Sequence, residues 1–368
     1  MGHATGGIPI ESEFSKDGVY KVISIGSYST DNTYHDQGIR AIKSEKTKSR
    51  LLNKNDLTMI LNDKTTIEKN IIGRTLLIEE SGVYVYNQRT ERIELDITQF
   101  DPSFIYEELN APHIRQKIIA QSQGNTQVYV NWSSISQLVY SIPSLSEQQK
   151  IGSFFRKLDD LLALHQRQTQ KLTELKQGLL HEMFPREGES VPRLRFPGFT
   201  THWKQKQFND VYTSFPNKMY QVQTSEYHAE GKFIVIDQGT NDIAGYTNRE
   251  DKVCHQFPCI IFGDHTTNIK YVNEPFVVGA DGVKTLKATG DCAFASYNLK
   301  VNNVTQQGYK RHFSQLKEIN VLCPSPAEQQ KIGSFFHTLD DRIHCHEQYT
   351  VKLVELKKGL LQKMFPQD

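Results

Sequence analysis

The sequence predicts an α+β protein: two globular domains separated by a long antiparallel two-helix coiled coil, with pseudo-twofold symmetry. First, residues 143–185 return almost unchanged at 324–366, 181 positions later, with 27 identities in 43 aligned positions. Second, both copies carry a long helical pattern with a heptad repeat of apolar residues. Third, the segments before the copies, 1–142 and 186–323, contain short β-type runs and turn residues. The chain is therefore expected to consist of two half-molecules built on one plan.

Composition limits the class of protein. The chain has 368 residues, enough for two or three domains, and its 37% apolar and 23% charged residues are typical of soluble proteins. No apolar run approaches the roughly 20 residues that span a bilayer, and the first residues lack the basic and then apolar order of a secretion signal. The five cysteines include no CxxC pair, which favours reduced thiols. We therefore expect a cytoplasmic protein.

The charge balance restricts any binding to nucleic acid. The formal net charge is +1, with 15 basic against 17 acidic residues in 1–142 and 16 against 14 in 186–323. Neutralisation of phosphates normally supplies most of the affinity of DNA-binding proteins. Binding to DNA would therefore have to rely on local loops and on help from partners.

The globular segments are predicted to be rich in strands. In the first segment, strands are expected in 17–26, 70–88 and 126–143. In the second segment, strands are expected in 230–242, 257–272, 274–288 and 316–324. The runs GVYKVISIG (18–26) and GKFIVIDQG (231–239) are expected to be equivalent opening strands. The Pro- and Gly-rich charged stretch 185–198 is predicted to join the two halves.

Each copy of the repeat predicts a helix with defined ends. Ser144 with Glu147, and Ser325 with Glu328, have the spacing of a capping box. A proline directly after a phenylalanine stops each helix. The predicted length of about 38 residues corresponds to about 57 Å.

The spacing of apolar residues predicts what these helices pack against. Residues at heptad intervals form two seams, which the second copy repeats: Ile151, Leu158, Leu172 and Leu179 with Phe155, Leu162 and Met183; then Ile332, Leu339, Leu353 and Leu360 with Phe336, Ile343 and Met364. Such seams indicate a coiled coil. Because a globular segment lies between the helices, antiparallel packing is the simplest arrangement. Two core helices in separate domains remain the alternative.

One position in the seam is polar in both copies. His165 and His346 are expected to approach each other across the axis and to fix the register of the coiled coil. A metal site that adds His344 and Cys345 is the alternative. It is disfavoured because residues two apart on a helix point about 200° apart.

Sequence motifs of catalysis are nearly absent. The sequence contains no Walker motif, no GxGxxG after a strand, no HExxH and no GxSxG. The ExK sequences at 174–176 and 355–357 resemble half of a nuclease site, but we interpret them as solvated helix charges. Asp264 and His265 could form an acid–base pair, although a turn that presents hydrogen-bonding side chains is the favoured interpretation.

The repeated boxes PxxxEQQKIGSFFxxLDD and KLxELKxGLLxxMFP, with RLRFPGFTTHW at the start of the second half, resemble the DNA-specificity subunit of type I restriction-modification systems. The resemblance covers the whole chain. It implies target recognition domains at 1–142 and 186–323, a central spacer helix at 143–185 and a distal spacer helix at 324–368. An RFPGFxxxW lead-in does not precede the first segment, so we expect a first domain whose N-terminal lead-in is missing.

The resemblance also implies a function. It implies a non-catalytic subunit that recognises a bipartite double-stranded DNA target and directs adenine methylation and cleavage by two methylation subunits and by restriction subunits. The cofactors S-adenosylmethionine, ATP and Mg are then expected on the partners and not on this chain. The alternatives are a coiled-coil scaffold without a DNA role and a divergent nuclease.

Two sets of side chains are candidates for binding. Polar side chains in turns are predicted to read base edges: Thr30, Asn32, Tyr34, Gln123, Asn125 and Gln127 in the first domain, and His265, Thr266, Thr267, Asn268, Lys270 and Lys284 in the second. The exposed faces of the helices are predicted to bind the methylation subunits through Gln148, Lys150, Arg167 and Lys171, and through Gln329, Lys331, Gln348 and Lys352.

Overall fold

The computed structural model describes residues 2–63, 71–124, 127–280, 282–308 and 310–365. The chain divides into two compact units, Met1–His165 with Tyr349–Asp368, and Gln166–Gln348. The division runs through both long helices, so each unit contains a globular part and one portion of each helix. Within the described ranges, no helix is both long and apolar enough to cross a membrane.

The first unit is built on two main sheets. Its strands are β1 Gly2–Gly6, β2 Tyr20–Ile23, β3 Arg40–Ala41, β4 Leu57–Ile60, β5 Asn62–Asp63, β6 Thr75–Leu77, β7 Tyr84–Tyr86, β8 Thr90–Leu95 and β9 Val128–Tyr129. Its helices are α1 Glu45–Lys48, α2 Pro102–Asn110, α3 Pro112–Ala120, α4 Trp132–Ile135 and the first part of α5 Leu145–Met183. One sheet has the order β1-β8-β4-β6 and is antiparallel. The other has the order β3-β2-β7, with β2 parallel to β7.

The second unit repeats this plan. Its strands are β10 Lys204–Gln207, β11 Tyr212–Phe215, β12 Phe233–Ile236, β13 Gly245–Thr247, β14 Cys259–Gly263, β15 Ile269–Val272, β16 Phe276–Val278, β17 Val283–Ala288 and β18 Asn320–Cys323. Its helices are α6 Phe208–Val211, α7 Cys292–Val301, α8 Phe313–Leu316 and part of α9 Pro326–Met364. The sheets β11-β17-β14-β15 and β13-β12-β16 match those of the first unit, and β12 is parallel to β16. The predicted equivalence of β2 and β12 is confirmed, and each is the opening strand of its smaller sheet. The prediction that they open their globular segments is wrong, because β1 precedes β2, and β10 and β11 precede β12.

One predicted strand is wrong over most of its length. The run 126–143 contains the short strand β9 and then the helical turn α4. Its alternation of β-forming residues suggested a strand, but Ile135 is turned into the core by the helical turn and is buried. Tertiary burial has therefore overridden local propensity.

In the first unit, helix α2 is seated on α5 through a glycine. The Asp101 carboxylate caps α2 by accepting a hydrogen bond from the Phe104 N–H at 2.9 Å. A Cβ on Gly152 would lie 2.4 Å from that carboxylate, so only glycine permits this approach. Beside it, the buried Gln148 accepts from the Asp101 N–H at 3.0 Å and donates to the Pro143 carbonyl at 2.9 Å. These contacts fix the globular part on the helix.

The second unit uses equivalent residues for the same contact. The Asp291 carboxylate caps α7 by accepting from the Phe294 N–H at 2.7 Å. A Cβ on Gly333 would lie 2.2 Å from the carboxylate. Gln329 accepts from the Asp291 N–H at 3.4 Å and donates to the Pro324 carbonyl at 3.0 Å. Each globular part therefore meets its own helix in one repeated geometry.

The two long helices pair antiparallel within the first unit. The rings of Phe155 and Phe365 lie 5.8 Å apart, and Lys357 Nζ lies 2.7 Å from an Asp159 oxygen. Between these two contacts the residue number rises along α5 and falls along α9, so the helices run antiparallel. Lys357 also donates to Glu107 of α2 at 2.9 Å. Burial raises the pKa of Glu107 to about 7. Burial alone would lower the pKa of Lys357, but the attraction of its two carboxylate partners, Glu107 and Asp159, is larger and raises it.

The second unit contains the matching antiparallel pair. The rings of Phe184 and Phe336 lie 6.0 Å apart, and Lys176 is ion-paired with Asp340. The Tyr297 hydroxyl of α7 donates to the same carboxylate at 2.6 Å. Lys176 and its counterpart in the first unit are largely buried, so their interpretation as solvated charges is wrong. Both are screened from solvent because α7 and α2 cover the helix pair.

The lead-in to the second globular part is tied to the start of α9. Arg195 donates to both carboxylate oxygens of Glu328, at 2.6 and 2.8 Å, and the Glu328 side chain is fully buried. Ser325 caps the helix by accepting from the Glu328 N–H at 3.4 Å. Trp203 packs edge-on against Phe184 at 5.8 Å. The RLRFPGFTTHW segment therefore anchors the second globular part to both long helices.

Candidate nucleic-acid interface

The loop 24–39, between β2 and β3, carries three of the predicted base-reading residues. Thr30 is exposed, whereas Asn32 and Tyr34 are half-buried. Asn32 has a left-handed backbone, with φ of 65°. Its carbonyl accepts from the Tyr106 hydroxyl at 2.9 Å, and its side-chain oxygen accepts from Arg74. The loop is therefore held at its tip from both sides.

Two other predicted residues of the first unit, Gln123 and Gln127, lie in the segment just before β9. Gln123 and Tyr129 exchange backbone hydrogen bonds of 2.8 and 2.9 Å. The side chains of Gln123 and Gln127 are exposed and so are accessible to a ligand. Asn125 lies outside the described residues.

The turn 264–268, between β14 and β15, is tied to the loop 237–244 through Gln238. The Gln238 carbonyl accepts from the Thr266 hydroxyl at 2.5 Å and from the Asn268 amide at 3.0 Å. The Gln238 side chain accepts from the His265 backbone N–H at 3.2 Å. Two of these predicted base-reading side chains are therefore engaged within the protein.

Two further predicted residues of this unit are buried. Thr267 has φ of 58°, and its carbonyl accepts from the Asn303 amide at 2.7 Å. Lys270 is only 6% exposed, donates to the Asn241 carbonyl and lies 3.6 Å from the Asp237 carboxylate. Burial lowers the pKa of Lys270, and the attraction of Asp237 opposes that shift. The Lys270 ammonium is therefore paired inside the protein, where it stabilises the loop 237–244 and is not exposed to a ligand.

Lys284 lies on β17 at the edge of an open cleft. Its ammonium is 3.7 Å from the Asp264 carboxylate and lies over the Phe313 ring, 5.7 Å from the centroid. Asp264 accepts from the backbone N–H groups of His312 and Phe313 at 3.0 and 2.8 Å, which is structural capping of α8. The cleft has a volume of about 340 Å³, and its other lining residues are Ser214, Phe215, Pro216, Asn217, Val283 and Thr285.

The predicted partner surface on the helices divides into two groups. Gln148 and Gln329 are buried, 1% and 7% exposed, so the expectation that they lie on an exposed face is wrong. They are buried because each bonds the backbone where a globular part meets its helix. The remaining predicted residues are exposed: Lys150, Arg167, Lys171, Lys331, Gln348 and Lys352.

The helices also expose apolar side chains that the sequence reasoning missed. They are Phe154, Leu161, Leu164 and Leu175 on α5, and Tyr349, Val351, Val354 and Leu356 on α9. Met364 is also exposed, so its predicted place in the buried seam is wrong. The signal was present, because Phe154, Leu161 and Leu175 follow a heptad row that lies beside the buried seam. Large apolar side chains at this density on an exposed helix mark an interaction surface.

A family profile described as type I restriction modification DNA specificity domain matches residues 2–174 and again residues 201–354. The chain belongs to this family. Its two halves are therefore two DNA specificity domains, and the predicted family resemblance is confirmed. No curated protein matches the chain.

One of the solved structures similar to this chain has the same fold, and two others are similar at lower TM-scores. The crystal structure of the type I restriction-modification system S subunit from M. genitalium has a TM-score of 0.72 and 16% identity, covering 99% of this chain and 93% of that one. A structure described as the basis of complex assembly and conformational transition of the type I R-M system has a TM-score of 0.46 and 15% identity, covering 98% and 96%. The HsdS subunit from Thermoanaerobacter tengcongensis has a TM-score of 0.39 and 14% identity, covering 99% and 96%.

Each specificity domain presents loops with hydrogen-bonding side chains. Among the described residues, no three His, Cys, Asp or Glu side chains are grouped to hold a metal. The sequence reasoning missed three residues that hold the loops, Arg74, Tyr106 and Gln238. Only Gln238 carried a signal, because it is the next-to-last residue of the predicted opening strand 231–239.

Proposed function

We propose that this chain is the non-catalytic specificity subunit of a type I restriction-modification complex, and that it reads a two-part DNA target with one part for each domain. The observation that carries the proposal is the repeated architecture. Both units have the same two sheets, and in both the loop after the opening strand touches the hairpin of the larger sheet. The scaffold is repeated while the loop side chains differ, so each domain is suited to its own base sequence.

Base reading is assigned to loop side chains that remain accessible. Thr30, Gln123 and Gln127 are the accessible candidates of the first domain, and His265 and Lys284 are those of the second. Amides, hydroxyls and ammonium groups at such positions can bond base edges in the major groove, where one good bidentate contact gives roughly 1–3 kcal/mol of discrimination. Five other predicted residues support the shape of the loops through contacts within the protein: Asn32, Thr266, Thr267, Asn268 and Lys270.

The exposed helix faces are assigned to the methylation subunits. Their apolar row supplies area for burial, and the exposed lysines and arginine beside it supply polar contacts at the rim. Because the net charge is only +1, the subunit alone neutralises few phosphates. We therefore expect weak DNA binding by the isolated chain and much tighter specific binding once methylation subunits add their own contacts. Equal affinity in both states would contradict this part of the proposal.

Sequencing of methylated adenines in a host genome, with and without the gene, tests the function directly. The proposal requires a set of sites with two defined parts and an undefined spacer, which disappears when the gene is removed. A coiled-coil scaffold would leave the methylation pattern unchanged. Exchanging the first globular segment for one of different loop sequence should change one part of the target and leave the other intact.

A further inference from the structure

The loops that follow the opening strands, 24–39 and 237–244, each contact a basic residue near the start of an edge strand of the larger sheet, β6 or β15. In the larger sheets Leu57 pairs with Leu77, and Cys259 pairs with Val272. Lys270 lies two positions before Val272, on β15. Arg74 lies three positions before Leu77, directly before β6. The two cations therefore occupy adjacent registers at the same end of equivalent strands.

In the first unit the contact converges on Asn32. Arg74 donates to the Asn32 side chain while the Tyr106 hydroxyl donates to the Asn32 carbonyl at 2.9 Å. Asp31, the preceding residue, adds an attraction to the Arg74 guanidinium, whose pKa is lowered mainly by burial. Asn32 has a left-handed backbone, which asparagine adopts more readily than most residues, and both its side chain and its carbonyl are bonded in that conformation.

In the second unit Lys270 plays the corresponding part. It donates to the Asn241 carbonyl and lies 3.6 Å from Asp237, so it links the start of the loop 237–244 to its middle. Lys270 is 6% exposed. A buried ammonium is costly unless it is paired, and here its pairing requires the loop to hold one conformation.

We propose that Arg74 and Lys270 are positioning residues that hold the two loops in the shape that reads DNA, each for the part of the target read by its own domain. The inference rests on the proposed function. A loop that is already ordered does not lose conformational entropy on binding, so its contacts discriminate between bases at full strength. Removing the cation leaves the reading side chains present but their positions poorly defined.

A direct role in DNA contact makes a different prediction. Loss of a phosphate contact weakens binding to all sequences about equally and lowers the salt dependence of affinity. Loss of a positioning residue relaxes the preference at one part of the target and leaves the salt dependence unchanged. The two explanations are therefore separated by measuring the sequence profile and the salt slope together.

The test uses the subunit assembled with its methylation subunits and a library of DNA targets. Arg74→Met should reduce discrimination about tenfold at one part of the target and leave the other unchanged, and Lys270→Met should do the reverse. Each variant is thus the control for the other. Arg74→Lys, which retains the charge, should restore part of the preference. Hydrogen exchange on the isolated chain should speed up in 24–39 for Arg74→Met and in 237–244 for Lys270→Met.

The outcomes separate the inference from the function on which it rests. An unchanged sequence profile in both variants, or a uniform loss with a reduced salt slope, would overturn the positioning role. If Arg74→Met does not fold, Tyr106→Phe decides, since it removes only the hydroxyl that holds Asn32 and should relax the same part of the target. If the wild-type complex methylates no defined sequence, the proposed function fails, and the exchange data alone still report whether the cations hold the loops.

Discussion

Gly152 is a glycine of the long helix α5 that is predicted not to accept a methyl group. A Cβ there would lie 2.4 Å from the Asp101 carboxylate and 2.8 Å from the Phe104 nitrogen, the two groups that form the cap of α2. Gly359, also in a long helix of this unit, has no atom within 4 Å of a Cβ. Gly152→Ala and Gly359→Ala therefore make the same chemical change in a crowded and in an open helical site.

The expected magnitudes have opposite signs. Alanine in a helix is favoured over glycine by about 1 kcal/mol, which is the whole expected effect at Gly359. At Gly152 this gain is offset by loss of the Asp101 cap, about 1 kcal/mol, and by overpacking of about 1–3 kcal/mol. The net result is a destabilisation of about 1–3 kcal/mol. For a unit of this size, a loss of about 2 kcal/mol lowers the melting temperature by about 4–8 °C.

Thermal unfolding combined with hydrogen exchange measures this effect. In Gly152→Ala the amides of α2 should exchange faster while those of α7 stay protected, and Gly359→Ala should raise the melting temperature slightly. The second unit offers an independent repeat, since Gly333 is crowded by Asp291 and Gly178 is open. Equal changes in melting temperature for the crowded and the open glycines would refute the close packing of α2 on Gly152 and of α7 on Gly333.

Three further predictions follow from buried or exposed side chains. Burial raises the pKa of the Glu108 carboxyl from 4.5 to about 7. The stability that the protonated carboxyl contributes is therefore complete below pH 4.5 and is lost as the pH rises through 7. In urea unfolding, Glu108→Gln should be more stable than wild type at pH 8 by roughly 3 kcal/mol, with little difference at pH 4. Arg195→Met should lower the free energy of unfolding by about 3–5 kcal/mol in thermal unfolding, because it leaves the buried Glu328 carboxylate without its partner. Adding Glu328→Gln should recover much of that loss. An Arg195→Met variant as stable as wild type would contradict this. Leu161→Glu should weaken binding of methylation subunits about tenfold or more in calorimetry, at an unchanged melting temperature. Ala163→Glu is the control, because residue 163 lies about 200° round the helix from residue 161, and this variant should bind normally. Equal affinities of the two variants for the methylation subunits would show that the apolar row is not part of the interface.

The duplicated helices could be predicted closely from the sequence. Their ends, at Met183 and Met364, lie one residue before the predicted ends, and the seam residues Phe155 and Phe336 are fully buried. These features depend on local signals, namely capping serines, terminal prolines and a seven-residue period. The opening strands were found for the same reason, because a short apolar run between glycines is a local pattern.

The candidate site was predicted less well. The polar turns were recognised from composition, and whether their side chains contact DNA stays a prediction. Composition does not reveal that Lys270 is buried beneath a loop, or that Gln148 bonds the backbone of another segment. An exposed lysine and a paired, buried one have the same sequence signature, so only the fold distinguishes them.

The two halves of this protein, the long amphipathic helix at the end of each half, and the motifs of the family resemblance in the helices and in RLRFPGFTTHW are all visible in the sequence. The way each globular part is seated on its helix, and the loop residues that are held in place, follow only from the folded structure. Lys357 meets Glu107 across 250 positions of chain, and Tyr106 meets Asn32 across 74. Periodicity is carried by neighbouring residues and is visible in the sequence, whereas such contacts exist only after distant segments are brought together by burial of the core.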